Sequence, residues 1–298
     1  MNQDSEVYRS GYVSIIGRPN VGKSTIFNSI LGEKIAIVTP KPQTTRNKII
    51  GIKTLPHAQI IFIDTPGIHR PRHGLGETMV KTAIDALRSV DLILLMVECG
   101  KIEKNDMIII DLLKNVKSPT FLLINKIDLI KKTDLLPIIE KFNKLYNFSE
   151  IIPVSALKSD GIDILIEKIC NYLPRGPKYY PDDLITDQLE KFMVSEIIRE
   201  KIMKMTEEEL PHSVAVMITE WKEKDDRIIV IKGNIYVERE SQKAIIIGKK
   251  GNMLKSIGTA ARKNIEAFLN TRIFLELWVK VKKNWRDNRH FLKELGYI

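Results

Sequence analysis

A chain of 298 residues exceeds one ordinary domain, and at about 100 to 200 residues per domain it divides into two, each large enough to bury a core. Hydrophobic residues at 44%, charged residues at 28% and the lack of any low-complexity tract exclude disordered and fibrous classes. The net charge of +10, from 47 basic against 37 acidic residues, points to a polyanionic partner, either nucleic acid or an anionic membrane surface.

From residue 12 to about 173, short runs rich in Ile, Val and Leu alternate with amphipathic stretches, the pattern of an α/β domain built on a mostly parallel, six-stranded sheet. The expected strands are 12–16, 48–53, 60–64, 92–97, 121–125 and 151–154, with helices over 23–31, 76–89, 105–116, 135–146 and 162–172. Only 54–59, containing Pro56, separates the second strand from the third, too short for a crossover helix, so a hairpin is expected to make one edge antiparallel.

The first strand runs into Gly17-Arg18-Pro19-Asn20-Val21-Gly22-Lys23-Ser24-Thr25, a G-x-x-x-x-G-K-[ST] loop between strand and helix. Glycines let backbone amides turn inward around phosphates and the helix aims its N-terminus at them. Lys23 then reaches the β and γ phosphates, and the Ser24 hydroxyl ligates Mg²⁺. The third strand ends in Asp64-Thr65-Pro66-Gly67, where the aspartate can hold Mg²⁺ through water and the Gly67 amide can sense the γ-phosphate. The fifth ends in Asn125-Lys126-Ile127-Asp128. A carboxylate there accepts from guanine N1–H and its 2-amino group, donors that adenine lacks, while Lys126 packs over the base. After the sixth strand, Ser155-Ala156-Leu157 offers backbone amides to guanine O6.

These four motifs, in this order and on these strand ends, resemble the motif set of translation-type GTPases. The resemblance implies GTP and GDP as ligands, Mg²⁺ held by Ser24, Thr45 and Asp64, and Lys23, Thr45 and Gly67 as catalytic groups. Thr44 and Thr45 lie in Pro42-Gln43-Thr44-Thr45-Arg46, where this superfamily has its first switch loop, with Thr45 as first choice for closing on the metal and Thr44 as the fallback. Ile68 stands where Ras-like members carry a water-orienting glutamine, so intrinsic hydrolysis should be slow unless a partner or a second cation assists. In related GTPases an asparagine placed like Asn20 holds potassium beside the phosphates, so K⁺ is a candidate cofactor.

Residues 173–183, with Pro174, Pro177 and Pro181, disfavour helix and central strand alike and mark a stiff linker. The divisions are therefore 1–176 for the nucleotide domain, 177–184 for the linker and 185–298 for a second, α+β domain. Here a helix (186–205), strands (213–220, 227–238), a glycine-centred loop, a helix (253–270) and a strand (272–282) are expected. Charge is polarised: 182–240 sums to about −6, while 241–290 carries 12 Lys and Arg against 3 Asp and Glu, a one-sided basic face.

In that basic half, Gly248-Lys249-Lys250-Gly251 precedes an amphipathic run of Leu254, Ile257, Ala261, Ile265 and Phe268 that reads as core. The pattern resembles the second, prokaryotic type of K-homology (KH) domain, whose G-x-x-G loop presses backbone against RNA phosphates while lysines, here with Lys255, supply charge. That resemblance makes 244–247 the end of a short helix, where propensity alone reads a strand. Trp278, Trp285 and Tyr297 are candidates for packing or base stacking, and Lys280, Lys282, Lys283, Arg286 and Arg289 for a solvated face or a continued RNA groove.

Over residues 8–298 the combination resembles the Era-type family of bacterial small-subunit assembly GTPases. It implies a nucleotide-gated switch with the 3′ end of small-subunit (16S) ribosomal RNA and the small subunit as partners. It further implies a monomer in the cytoplasm, with some protein peripheral at the inner face of the cell membrane. Two cysteines, Cys99 and Cys170, with neither metal spacing nor a disulfide framework, fit a reducing compartment. Residues 1–9 hold no signal-peptide core, and no run approaches the roughly eighteen apolar residues of a span. The rivals are an ATPase or small-molecule kinase, against which Asn125-Lys126-Ile127-Asp128 argues; a nucleotide-independent RNA-binding protein, which would need a broken phosphate loop; and a related GTPase of RNA modification or membranes, which would lack G-x-x-G.

Overall fold

Strand β1 (Arg9–Ile16) lies between β3 (Ala58–Asp64) and β4 (Leu92–Glu98) and is parallel to both. The computed structural model describes residues 8–71, 73–224 and 228–297. With β2 (Ile49–Thr54), β5 (Thr120–Asn125) and β6 (Glu150–Pro153) the order is β2-β3-β1-β4-β5-β6, and β2 alone runs antiparallel, paired with β3. All seven residues of β3 and all six of β5 are buried, as strands covered on both faces must be. The covering helices are α1 (Lys23–Leu31), α2 (Gly74–Asp85), α3 (Lys104–Leu113), α4 (Leu135–Asn143) and α5 (Ile162–Tyr172).

The carboxyl ends of β1, β3, β4, β5 and β6 share one rim, in register Ile15 beside Asp64, Glu98 beside Asn125 and Ile124 beside Pro153. Open parallel sheets bind ligands at this rim. Because β2 is antiparallel, its beginning and not its end reaches there: Ile49 pairs with Asp64, which brings the stretch ahead of β2 to the same rim.

Several elements differ from expectation at their ends. β1 starts at Arg9 because the proline-rich stretch pairs with it: the Ser10 amide donates to Pro174 O at 3.1 Å and the Ser10 hydroxyl to Pro177 O at 2.6 Å. That stretch continues as a strap across the sheet edge. Gln59 Oε1 accepts from the Tyr179 and Tyr180 amides at 2.7 and 3.0 Å, and the Ile52 amide donates to Ile185 O at 2.7 Å.

The second domain orders α6 (Glu190–Met205), β7 (Ala215–Lys224), β8 (Ile228–Val237), α7 (Glu240–Ile247), α8 (Asn252–Leu269), β9 (Arg272–Val281) and α9 (Arg289–Glu294). β7 and β8 form an antiparallel hairpin, and β9 joins β8 in parallel. The expected strand start at Arg227 lies outside the described residues. Residues 244–247 do end a helix, α7, as the KH resemblance implied and propensity did not. Ile198, Ile202, Ile231, Ile235, Ile246, Ile257, Ala261 and Ile265 interlock in one core. Helix α9 was not expected, although Asn288 caps it by accepting from the Phe291 amide at 3.0 Å.

Grouped by contacts, the chain forms two units. One holds the residues through Ala36, Thr45–Pro71 and Met79–Asp187; the other holds Ile37–Thr44, the segment ending at Thr78, and Gln188 onward.

Candidate functional site

At the rim of the sheet, α1 begins with Lys23, whose ammonium donates to the carbonyls of Gly17 at 3.2 Å and Arg18 at 2.9 Å. Gly17 and Gly22 have φ of +154° and +105°; a β-carbon on Gly22 would stand 2.3 Å from Asn125 Nδ2, so a side chain there would close the cradle. The Ser24 hydroxyl donates to Asp64 Oδ2 at 2.7 Å and meets Thr45 Oγ1 at 2.7 Å. Thr45 Oγ1 also donates to Asp64 Oδ2, at 3.3 Å. Ser24 at the start of α1, Thr45 in the stretch ahead of β2 and Asp64 at the end of β3 are thus brought together. Thr44 is turned elsewhere, its hydroxyl donating to Lys41 O at 2.7 Å.

Burial pushes the Lys23 ammonium down to about 8, with Asp64 opposing, and pushes the Asp64 carboxyl up to about 6 against the pull of Lys23, Ser24 and Thr45. Asp64 Oδ1 is buried without a hydrogen-bond partner. A buried carboxylate with one oxygen taking two hydroxyls and the other left alone is poised for a cation. Among the described residues no group of three or more His, Cys, Asp or Glu could hold a metal, so a divalent ion here would draw its remaining ligands from phosphate and water.

Gly67 sits against the phosphate loop, where a β-carbon would come within 2.7 Å of Pro19 N, and the Ile68 amide donates to Gly17 O at 3.1 Å. Ile68 is 2% exposed and packs in the core, which removes it from any contact with a reacting water. His69 Nδ1 lies 2.8 Å from Gly67 O.

Asn125 joins three loops. Its side-chain amide donates to Val21 O at 2.7 Å in the phosphate loop, and its side-chain oxygen accepts from the Ala156 amide at 2.9 Å. The Ala156 amide, expected to face a guanine O6, therefore has a partner inside the protein. Lys126 adopts φ +67° and ends the strand run. Asp128 Oδ1 accepts from the Ser155 hydroxyl at 2.6 Å, a bond that holds its carboxyl below the usual range.

One acid lies outside every motif read in the sequence. Glu98, the last residue of β4, accepts from Arg18 Nη2 at 2.7 Å and is ion-paired with Lys126 Nζ. Burial pulls its carboxyl up, but the bonds from Lys126 and Arg18 outweigh that and hold it below the ordinary range. A carboxylate closing an apolar strand at the ligand rim was the available signal.

In the second domain the G-x-x-G loop joins α7 to α8. Gly248, Lys250 and Gly251 have φ of +72°, +55° and +77°, and Lys249 and Lys250 are exposed. A β-carbon on Gly248 would meet Met253 Cβ at 2.6 Å, whereas one on Gly251 would meet nothing within 4 Å. Beside the loop runs a groove of about 420 Å³ between α8 and β9, lined by Gly251, Lys255, Gly258, Arg262, Leu275 and Leu277. Trp285 is fully buried, donating to Ser213 O at 2.9 Å and stacked with Tyr297, so both are packing residues; Trp278 is 40% exposed. Arg286 is also committed, to Glu238 at 2.5 Å, and Lys282 lies over the Phe291 ring.

Comparison with known proteins agrees with this geometry. Residues 12–126 match the family model of the 50S ribosome-binding GTPase, and residues 209–286 match that of the KH domain. GTPase Era of Ruminiclostridium cellulolyticum is 53% identical over 97% of this chain and 98% of its own length; that of Staphylococcus haemolyticus is 51% identical over 98% of each. Among solved structures, a single-residue variant of Aquifex aeolicus Era bound to GDP·AlF₄⁻ superposes with a TM-score of 0.94 at 44% identity, covering 97% of this chain and 99% of that one. Era in complex with MgGDPNP and nucleotides 1506–1542 of 16S ribosomal RNA gives 0.93 at 43%, with the same coverage. A phosphate cradle, a base-binding rim and a G-x-x-G domain in one chain, matched along nearly its whole length by these relatives, make this chain a member of the Era family of GTPases.

Proposed function

We propose that this GTPase uses the rim of its first sheet to bind Mg²⁺ and GTP, and its G-x-x-G groove to bind the 3′ end of small-subunit ribosomal RNA during small-subunit assembly. The observation that carries the reading is the meeting of the Ser24 and Thr45 hydroxyls on Oδ2 of Asp64, whose buried Oδ1 has no partner and whose charge Lys23 attracts. Residues 17–25, Asp64-Thr65-Pro66-Gly67, Asn125, Lys126, Asp128 and Ser155-Ala156-Leu157 are assigned to the nucleotide. Gly248–Gly251 and Lys255 are assigned to RNA.

Ser24, Thr45 and Asp64 would hold Mg²⁺, which when bound neutralises phosphate charge. Lys23 trades the two carbonyls it now contacts for phosphate oxygens, and its low-dielectric surroundings strengthen that attraction. Gly67 gives its amide close approach to the terminal phosphate, and Asp128 accepts from the guanine edge while Ser155 holds it ionised. No side chain at Ile68 orients water, so hydrolysis rests on electrostatics and positioning, with K⁺ beside Asn20 as the proposed assisting cation.

Lys249 and Lys250 of the loop, with Lys255 and Arg262 in the groove, attract the phosphodiester while Leu275 and Leu277 offer apolar floor to bases. A monomeric state is part of the proposal. Among the described residues no helix is long and apolar enough to cross a membrane; a cytoplasmic location with peripheral contact at the inner membrane face is part of the proposal, supported by the net charge of +10.

The test is to titrate the full chain with a single-stranded oligonucleotide matching the 3′ end of 16S ribosomal RNA, and with a scrambled one, in the presence of Mg²⁺ and either GDP or a non-hydrolysable GTP analogue. Selective binding that responds to the nucleotide supports the reading. Equal binding of both oligonucleotides in both states contradicts it.

A further inference from the structure

Beyond the residues assigned above, the phosphate end and the base end of the nucleotide site are tied together by one carboxylate. Glu98 Oε2 accepts from Arg18 Nη2 at 2.7 Å, and Glu98 Oε1 is ion-paired with Lys126 Nζ. Arg18 belongs to the phosphate loop, and its own carbonyl accepts from Lys23 Nζ at 2.9 Å. Lys126 lies between Asn125 and the base-reading Asp128. The same corner is fixed by backbone: the Cys99 amide donates to Asn125 O at 2.9 Å, and Cys99 Sγ to Lys126 O at 2.9 Å.

Two cations, Arg18 and Lys126, meet three carboxylates here. Glu103 and Asp106 also face Arg18, at 3.3 and 3.5 Å, so the guanidinium sits in an acidic cup. Arg18 is only 12% exposed and Glu98 25%, so these pairs are partly shielded from water and are worth more than a surface ion pair. Lys126 has no other carboxylate partner among the described ion pairs.

We propose that Glu98 is a positioning residue for nucleotide binding: by holding Arg18 and Lys126 at once it fixes the spacing between the phosphate loop and the base-binding corner, so that base and phosphates are met together. A nucleotide spans both ends, and the entropy of aligning two independent loops is removed before it arrives. Without the carboxylate, each binding event must order both loops, and Lys126 loses the carboxylate that ties it to the phosphate loop.

This inference rests on reading the rim as a guanine-nucleotide site. The test is equilibrium binding of GDP and of a GTP analogue to wild type, Glu98→Gln, Arg18→Gln and the double variant, each with Mg²⁺, alongside thermal melting and steady-state hydrolysis. Glu98→Gln keeps shape and volume but removes the charge, and its affinity for GDP is expected to fall by about tenfold or more, the size of a partly buried charge-assisted contact. KM for GTP should rise in proportion, while kcat at saturating GTP stays within about threefold, because the clamp acts before chemistry. The double variant should lose less than the product of the two single losses, since both remove one shared contact.

Glu98→Gln with wild-type affinity overturns the proposal, as do single losses that simply multiply or a fall confined to kcat. Should Glu98→Gln not fold, Glu98→Asp, which keeps the charge but is one methylene too short to hold Arg18 and Lys126 at once, carries the same test and must show the same rise in KM with kcat within about threefold. Failure of the wild type to bind GDP would instead sink the reading of the rim itself.

Discussion

Changing Gly251 to aspartate separates a functional loop from an ordinary turn, because the two glycines of the loop differ in what surrounds them. At Gly251 an added β-carbon meets nothing within 4 Å, so the cost to the fold is the left-handed φ of +77° alone, about 1–2 kcal/mol. At Gly248 the β-carbon would lie 2.6 Å from Met253 Cβ and 2.9 Å from Met253 N. Overpacking there adds about 1–3 kcal/mol, so Gly248→Ala should cost about 2–5 kcal/mol in total, a large share of a typical domain's 5–15. Against RNA the ranking reverses for binding of the folded protein. Gly251→Asp removes at least one charge-assisted backbone contact, about 1.5–3 kcal/mol, and sets a carboxylate near phosphate, about 1 kcal/mol more. The expected loss of about 2.5–4 kcal/mol is roughly a hundred- to a thousandfold in affinity.

The assay is fluorescence anisotropy with a labelled oligonucleotide matching the 3′ end of 16S ribosomal RNA and a scrambled control, at several salt concentrations, with GDP binding and melting measured on the same samples. Gly251→Asp should bind GDP as wild type does and melt only a few degrees lower, while RNA binding collapses. Lys249→Ala and Lys250→Ala should each weaken both oligonucleotides and lower the salt slope by about one. Full-strength, sequence-selective binding by Gly251→Asp would refute the argument and reduce the loop to a turn.

Three further outcomes follow from the nucleotide site. Ser24→Ala removes the hydroxyl that bonds Asp64 and Thr45; nucleotide affinity should lose most of its dependence on Mg²⁺, measured by calorimetry with and without chelator, and an unchanged dependence would count against the assigned ligand set. Asn125→Ala breaks the bonds to Val21 O and Ala156 N and leaves both buried groups without that partner, so melting should report a loss of about 1–3 kcal/mol even without nucleotide, whereas an unaltered melting curve would show that the bridge carries no stability. Hydrolysis measured at equal ionic strength should be faster in potassium than in sodium, since Ile68 is buried away from any water; equal rates would remove Asn20 as a cation ligand.

The rim of the sheet was legible because each motif marks the end of a strand, and parallel strands bring their ends together whatever lies between. The antiparallel place of β2 followed from a gap too short for a helix. Legibility failed where a side chain's partner is far away in sequence. Glu98 meets Arg18 across eighty positions, and nothing local in its strand announces that. Asn125 likewise meets the Ala156 amide from another strand, thirty-one positions away, which nothing local announces. Aromatic and basic residues after β9 looked alike in sequence, but tertiary packing sorted them: Trp285 went inside and Arg286 found Glu238, while Trp278, within β9, stayed partly exposed. The short helix α7 shows the same limit, since Ile245, Ile246 and Ile247 favour a strand by propensity and only the fold context made them helical.

The identity of the base tests the central claim most directly. Asp128 is the one carboxylate of its motif and stands ionised beside Ser155. It is the group expected to accept from guanine N1–H and the 2-amino group. Asp128→Asn turns one acceptor into a donor, which suits the carbonyl that xanthine carries at C2. Competition binding of GTP against xanthosine triphosphate in wild type and Asp128→Asn is the measurement. A preference for GTP in the wild type that reverses in the variant is the expected result. A variant that keeps the wild-type preference for GTP would contradict the assignment of this rim as a guanine site read by Asp128.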